Sequence, residues 1–170
     1  MISYFYAYAF DTDETALSVF ESGHAQIFRP WSWSSLNPPF SRMYYMLQGQ
    51  AEVVIDHQSI TLKEGYVYLL PSGCSIQTFS STHMEQLFFH VNLFDYAGFD
   101  VLTQCKIGEG LPVPDIEELV RLYRSNDTLD FLALRQRIAL DCIHFLRESG
   151  VVLETKSCSS LVRRVIAYVK

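Results

Sequence analysis

The sequence predicts a mostly β chain that ends in α-helices. About eight short runs rich in β-branched and aromatic residues follow one another as far as residue 95, separated by turn residues. Closely spaced strands without long helices between them are typical of an antiparallel sandwich or barrel. After Pro112 the spacing of apolar residues changes to a helical period. The 170 residues are enough for one domain with a core of its own.

Eight segments are predicted as strands because turn-forming residues bound most of them. They are Ile2–Ala9, Ala25–Arg29, Arg42–Leu47, Ala51–Ile55, Ser59–Leu62, Tyr66–Leu70, Ser75–Phe79 and Glu85–Phe94. The segment Phe10–Gly23 fits no single pattern, and Thr15–Phe20 is compatible with a helical turn, an edge strand or a loop. These segments predict the β part of the fold.

Two helices are predicted after the strands. Asp115 followed by Glu118 has the spacing of a capping box that begins the first helix. The second helix begins near Asp127 and ends near Ser149, where Gly150 is the C-terminal stop. A further helical and basic pattern lies in residues 157–170.

The second helix carries an apolar arc that covers roughly half of its circumference at 100° per residue. A helix on a single surface needs a narrower stripe, so this arc predicts contacts with its own barrel and with a partner subunit. The alternative is a helix buried deeply in one core. One face is formed by Leu132, Ala139, Ile143 and Leu146. The other face is formed by Phe131, Leu134, Ile138 and Phe145, and these four are predicted for the dimer interface. The sequence does not show which of the two faces meets the barrel and which meets the partner.

Composition limits the function classes. No apolar run reaches the roughly 18 residues that span a bilayer, and the apolar start of the chain lacks the basic residues of a signal peptide. The four cysteines show no CxxC spacing and predict buried thiols rather than disulfides. Through Pro112, acidic residues outnumber basic ones by seven, so tight DNA binding by this chain is not expected. A cytoplasmic protein without a membrane partner is predicted.

Two segments together resemble a known regulator family. Residues 43–56 contain a strand that ends in the turn at Gly49 and then a second strand. Residues 60–73 contain Gly65, then five intervening residues, then Pro71-Ser-Gly73. Their order and spacing resemble the cupin core of AraC-type transcription regulators, and the aromatic strand around residues 88–91 is similar to the last barrel strand of those sensors.

The resemblance implies a fold and a function. The fold is a cupin-like antiparallel β-barrel of the jelly-roll type in residues 1–112, followed by a helical dimerisation hairpin in residues 113–150. Residues 151–170 are a linker and the start of a DNA-binding domain that is otherwise missing. The implied partners are a small-molecule effector and a second copy of the chain, with DNA bound only through the missing domain.

The metal ligands of cupin enzymes are not at their usual positions. Seven residues before Gly49, where the family has glutamate, stands Arg42; three residues after Gly73, where it has histidine, stands Ile76. The five histidines are scattered, so neither a metal nor another cofactor is predicted. A sensor module that is not an enzyme is the first reading. A metal-dependent sugar isomerase or dioxygenase and a purely structural dimerisation module with a filled barrel are its rivals.

The resemblance also fixes which side chains face the barrel interior, since alternate residues of a strand share a face. Predicted ligand contacts there are Arg42, Tyr44, Thr78, Phe88 and His90. A buried structural arginine and a hydrogen-bonded core histidine are the alternatives for Arg42 and His90.

The Pro/Ser-rich segment 29–40 is predicted as a loop over the barrel mouth. The tryptophans Trp31 and Trp33 in this segment are placed to stack on a sugar or another flat ligand. The resemblance adds Arg29, since AraC-like sensors often use an arginine with aromatic residues near the start of the barrel. Tryptophans that plug one end of the core are the alternative. The effector is predicted to be a sugar or related metabolite; uronates, neutral sugars and aromatic acids all suit arginine with aromatic residues.

Overall fold

The computed structural model of the chain describes residues 15–28, 30–35, 37–80, 83–95 and 97–153. The predicted strand Ile2–Ala9, the helical pattern in residues 157–170, Arg29 and Cys158 lie outside the described residues. The predicted boundaries of the three regions of the chain stay predictions.

The described chain forms strands first and helices last. The strands are β1 (Thr15–Ile27), β2 (Trp31–Ser35), β3 (Ser41–Gln48), β4 (Gln50–Ile55), β5 (Gln58–Lys63), β6 (Tyr66–Leu70), β7 (Ile76–Ser80), β8 (Met84–Asp95) and β9 (Leu111–Pro112). The helices are α1 (Ile116–Arg124) and α2 (Thr128–Glu148), and a short 3-10 turn covers Val101–Gln104.

The strands form two antiparallel sheets. The first sheet has the order β1-β8-β3-β6-β9 and the second has the order β2-β7-β4-β5. This double-sheet order is that of a jelly roll. The predicted fold class, mostly β with C-terminal helices, is confirmed. No ladder joins the two sheets within the described ranges, so they pack as a sandwich rather than a closed barrel.

Turn chemistry sets the strand register. At the β4–β5 connection, Asp56 and His57 both have positive φ angles, 44° and 74°, as a two-residue type I′ hairpin requires. The Asp56 carboxylate also accepts a hydrogen bond from the backbone N–H of Ser75 at 2.8 Å. The predicted turn is confirmed, and it fixes which β4 side chains face inward.

Two N-terminal segments differ from their sequence interpretation. The unresolved choice for Thr15–Phe20 is settled, because these residues belong to β1, an edge strand paired with β8. The predicted mouth loop contains β2, whose residues Trp31–Ser35 pair with β7. The loop prediction is wrong because the prolines flank this strand, and an edge strand needs partners on one side only.

The first sheet separates two apolar cores. β3 shows this by alternation: Met43 and Tyr45 belong to the core beneath the helices, whereas Tyr44 and Met46 belong to the core between the sheets. All four side chains are buried. The fold therefore has three layers, with β3 contributing to both cores.

The two helices begin differently. Asp127 caps α2 by accepting hydrogen bonds from the backbone N–H groups of Leu129 and Asp130 at 2.7 and 3.2 Å, as predicted. Asp115 makes no side-chain cap bond, and Glu118 instead binds Arg121. The capping box predicted for α1 is therefore wrong. No helix in the described ranges is long and apolar enough to cross a membrane.

Three of the four side chains predicted for the dimer interface are buried inside this chain. Leu134, Ile138 and Phe145 pack into the core beneath the helices, and none is more than 7% exposed. That part of the prediction is wrong because these residues form the face of α2 that meets its own sheet. Phe131 is 60% exposed and stays available to a partner.

The opposite side of α2 carries a second apolar surface. We call it the outer stripe: Leu129, Leu132, Leu140 and Ile143, whose exposures lie between 45% and 73%. At 100° per residue these side chains point away from the buried face. Arg135 lies between the two faces and donates a hydrogen bond to the Leu17 carbonyl oxygen at 2.6 Å. The wide apolar arc thus divides into a core face and an outer face.

Candidate ligand-binding site

A cavity of about 270 Å³ lies on the side of the first sheet that faces β2. Strands β1, β2, β3 and β8 supply its walls. Its lining residues are Glu21, Ala25, Ile27, Trp31, Trp33, Arg42, Tyr44, Gln86, Phe88 and His90. A cavity of this size with mixed aromatic and polar walls suits a ligand of one ring.

Strand register brings the predicted residues together. β3 and β8 are antiparallel neighbours in which Arg42 lies opposite His90 and Tyr44 lies opposite Phe88. Since opposite residues in a ladder share a face, these four side chains point into the same space. Trp31 and Trp33 approach from β2, where alternation places both on one side. Six of the eight predicted ligand contacts therefore line one cavity.

Arg42 is a buried cation held by aromatic rings. Its Cζ lies 4.5 Å from the ring centroid of Trp33 and 5.0 Å from that of Phe40. Its Nη1 is buried and has no hydrogen-bond partner among the described residues. Burial lowers the pKa of Arg42, and nearby Tyr44 and Glu21 oppose that shift. No carboxylate of the described residues lies at ion-pair distance from this guanidinium.

His90 is oriented by a ring and a carboxylate. It stacks on Phe40 with the ring centroids 4.4 Å apart. Its Nδ1 lies 2.9 Å from a Glu21 carboxylate oxygen, at ion-pair distance but without hydrogen-bond geometry. Burial and then the charge of Arg42 lower the pKa of His90, against the opposing influence of Glu21. The imidazole is therefore mainly neutral at pH 7.

Aromatic rings form the middle of the cavity wall. Trp31 meets Tyr44 edge to face, with 6.1 Å between the centroids. Burial raises the pKa of Tyr44 to about 12, so its hydroxyl keeps its proton. Phe88 covers Gly23 of β1, where an added Cβ would lie 2.4 Å from the ring. These contacts fix the ring positions around the empty space.

Two predicted contacts are not in this wall. Thr78 is buried, but it does not line the cavity; its hydroxyl donates to the Trp33 carbonyl oxygen at 3.3 Å. This bond attaches β2 to β7, so the structure does not bring Thr78 together with the six cavity residues. Arg29 lies outside the described residues.

The sequence interpretation missed four cavity residues: the apolar Ala25 and Ile27, and the polar Glu21 and Gln86. Gln86 follows from the alternation of β8 with Phe88 and His90, so its signal was present. Glu21 had no such signal. β1 contains a bulge between Val19 and Glu21, and one extra residue reverses which face the following side chains occupy.

The described residues contain no group of three or more histidine, cysteine, aspartate or glutamate side chains arranged to hold a metal ion. Arg42 lines the cavity, and Ile76 is buried in the core between the sheets. Neither residue type is a metal ligand. The absence of a metal site remains a prediction.

A polar contact joins the cavity strand β3 to α2. Tyr45, which follows Tyr44 but points to the other side of the sheet, donates a hydrogen bond to the Asp141 carboxylate at 2.8 Å. Arg137 lies 3.3 Å from the same oxygen. The Tyr45 and Asp141 side chains are buried. One strand therefore contacts the cavity with one face and α2 with the other.

No protein-family model and no curated protein matches the sequence. Among solved structures the chain is similar to YhaK from Escherichia coli, at 13% identity and a TM-score of 0.45, over 64% of this chain and 49% of that one. It is similar to the cupin domain of Schizosaccharomyces pombe Cnp3, at 13% identity and a TM-score of 0.38, over 45% and 63%. Salicylate 1,2-dioxygenase from Pseudoaminobacter salicylatoxidans matches at 14% identity and a TM-score of 0.37, over 48% and 26%. The strand order of its own two sheets makes this chain a cupin-like jelly roll followed by two helices.

Proposed function

We propose that this chain is the effector-binding and dimerisation domain of a cytoplasmic bacterial transcription regulator of the AraC type. It binds a small molecule in the cavity without transforming it. The observation that carries the proposal is the double role of β3. Arg42 and Tyr44 face the cavity, and Tyr45 contacts α2 from the other side of the sheet. A ligand that moves β3 therefore acts on the helix.

The cavity favours a binding role over a purely structural one. A filled module would pair its buried polar atoms internally, because an unpaired buried donor or acceptor costs about 1–3 kcal/mol. Five buried side-chain atoms have no hydrogen-bond partner among the described residues. Three of them, Arg42 Nη1, Gln86 Oε1 and His90 Nδ1, belong to side chains that line the cavity. A ligand that supplies the missing partners removes this cost.

Sensing also requires two states with different affinity for the ligand. The Tyr45–Asp141 hydrogen bond joins β3 to α2, so a shift of β3 on ligand binding changes the position of α2. We place the dimer contact on the outer stripe of α2. In a two-fold dimer the stripe meets its own copy and is removed from water. Ligand binding then changes how two subunits are held together.

The two tryptophans of the chain provide a direct test. Trp31 and Trp33 are its only tryptophans, and both line the cavity. Titration with sugars, sugar acids and aromatic acids is therefore expected to change the tryptophan emission in a saturable way for the correct ligand. Sugars come first because they do not absorb at the excitation wavelength.

A filled-cavity variant separates this response from surface binding. Ala25 lines the cavity, so Ala25→Phe places a ring in the space and is expected to abolish the response. Ala16→Phe is the matched control, because Ala16 lies on the same strand but is exposed. An emission change that persists in Ala25→Phe, or no response to any compound class, contradicts the proposal.

A further inference from the structure

We infer that the ligand is a hydroxylated monocarboxylate of one ring, with its carboxylate on Arg42 and a hydroxyl group on Gln86. A sugar acid has this chemistry. The inference rests on the proposed function, since it names the class of compound that the sensing cavity accepts.

Arg42 supplies the argument for the carboxylate. A guanidinium is always charged in proteins, and a buried one without an anionic partner is costly. Arg42 is 4% exposed, and its guanidinium lies over the faces of Trp33 and Phe40. Aromatic faces attract the cation but accept no conventional hydrogen bond. Its Nη1 thus remains a buried donor without an acceptor. A carboxylate supplies both the acceptor and the opposite charge.

Glu21 does not already perform this task. Its carboxylate contacts His90 at 2.9 Å, and its side chain is 63% exposed to water. Water screens a charge in such a position, so Glu21 attracts Arg42 only weakly. Among the described residues, Arg42 therefore has only this weak, screened interaction with a carboxylate.

Gln86 supplies the argument for the hydroxyl group. Its side-chain oxygen is buried and receives no hydrogen bond from the part of the chain that the structure describes. Arg42 lies opposite His90 on β8, and Gln86 lies four positions before His90 on that strand. The rise of a strand places those two β8 positions about 13 Å apart. The side chains that carry the orphan donor and the orphan acceptor therefore leave the first sheet at opposite ends of the cavity wall.

The aromatic wall between these two ends favours a ligand whose central part is a ring. Trp31, Tyr44 and Phe88 line the middle of a cavity of about 270 Å³. Apolar faces of a sugar ring and flat aromatic rings both pack well on such a wall. An aromatic acid without a hydroxyl group would leave Gln86 unpaired, whereas a ring that carries both groups satisfies both ends.

Calorimetric titration of the wild-type protein tests the inference with paired probes. D-glucuronate and D-galacturonate are compared with D-glucose and D-galactose, which have a neutral CH₂OH in place of the carboxylate. Benzoate is compared with 4-hydroxybenzoate, which adds a hydroxyl group, and inorganic phosphate is titrated as an anion without a ring. At least one hydroxylated ring carboxylate is expected to bind about tenfold to a hundredfold more tightly than its neutral or hydroxyl-free analogue. Tightest binding by phosphate overturns the inference.

Two variants test which side chain recognises the carboxylate and which recognises the hydroxyl group. Arg42→Met is expected to abolish the preference for the carboxylate, and Gln86→Leu the preference for the hydroxyl group. Arg121→Met is the matched control and leaves both unchanged, since Arg121 is exposed on α1. If Arg42→Met fails to fold, the inference is still tested by two comparisons. These are the affinities of the acids and their neutral analogues for the wild-type protein, and the hydroxyl preference of Gln86→Leu.

The inference and the proposed function fail differently. A neutral sugar that binds as tightly as its acid, or an acid preference that survives in folded Arg42→Met, overturns the inference. If the inference fails in this way but a neutral compound changes the tryptophan emission, the proposed sensing function is still supported. The absence of any response, in emission or in calorimetry, overturns both.

Discussion

Ile143→Glu or Leu140→Glu is expected to convert a homodimer of this chain into monomers. Both side chains belong to the outer stripe, and a two-fold interface would bury each new carboxylate together with its own copy. Burying charges without partners costs several kcal/mol, so the dimer dissociation constant should rise about 100-fold or more. Sedimentation at micromolar concentration measures the change.

The controls separate association from folding. Ile143 is 45% exposed in the single chain, so its substitution should change the free energy of unfolding of the monomer by less than about 0.5 kcal/mol. His144→Glu is the matched control on the same helix, exposed but outside the outer stripe. Phe131→Glu tests the remaining residue of the original interface prediction. A monomeric wild type, or a dimer that survives both stripe variants, removes the outer stripe from the interface.

Asp141→Ala is expected to lower the free energy of unfolding by about 2–4 kcal/mol. The change leaves the buried Tyr45 hydroxyl without its acceptor and removes the carboxylate that faces Arg137. Arg137 is partly exposed and regains water, which limits the loss. Tyr45→Phe should cost less, about 1 kcal/mol, because Asp141 keeps its ion pair.

Urea unfolding measures both effects. Asp115→Ala is the matched control, since Asp115 is exposed and makes no cap bond; its change should stay within about 0.5 kcal/mol. Equal effects of Asp141→Ala and Asp115→Ala would mean that the contact between β3 and α2 contributes nothing to stability.

The sequence was informative where alternation was regular. In β3 and β8 the resemblance supplied the inward phase, and the period of two extended it to Arg42, Tyr44, Phe88 and His90; the same rule would have included Gln86. In β1 the period was interrupted. The bulge near Phe20 reverses the phase, so Leu17 faces the helices while Glu21 faces the cavity. A single sequence gives no signal for such a bulge.

The other differences between the predicted and the observed structure arise from tertiary contacts, namely strand pairing for β2 and packing on the sheet for α2. β2 was interpreted as a loop because prolines and serines surround its tryptophans, yet pairing with β7 supplies enough hydrogen bonds for a short edge strand. For α2, the width of the apolar arc predicted two surfaces. Leu134 and Ile143 are equally apolar, so only the packing of the sheet decides which one is buried.

The central claim is that the cavity and the dimer contact are coupled. The measurement that tests it most directly is the dimer dissociation constant with and without a ligand that changes the tryptophan emission. Coupling free energies between sites are typically about 1–3 kcal/mol, so saturating ligand should change this constant about fivefold or more in wild type. Tyr45→Phe should reduce the change while the ligand still binds. A ligand that fills the cavity and leaves the dissociation constant of the wild-type dimer unchanged would contradict the account.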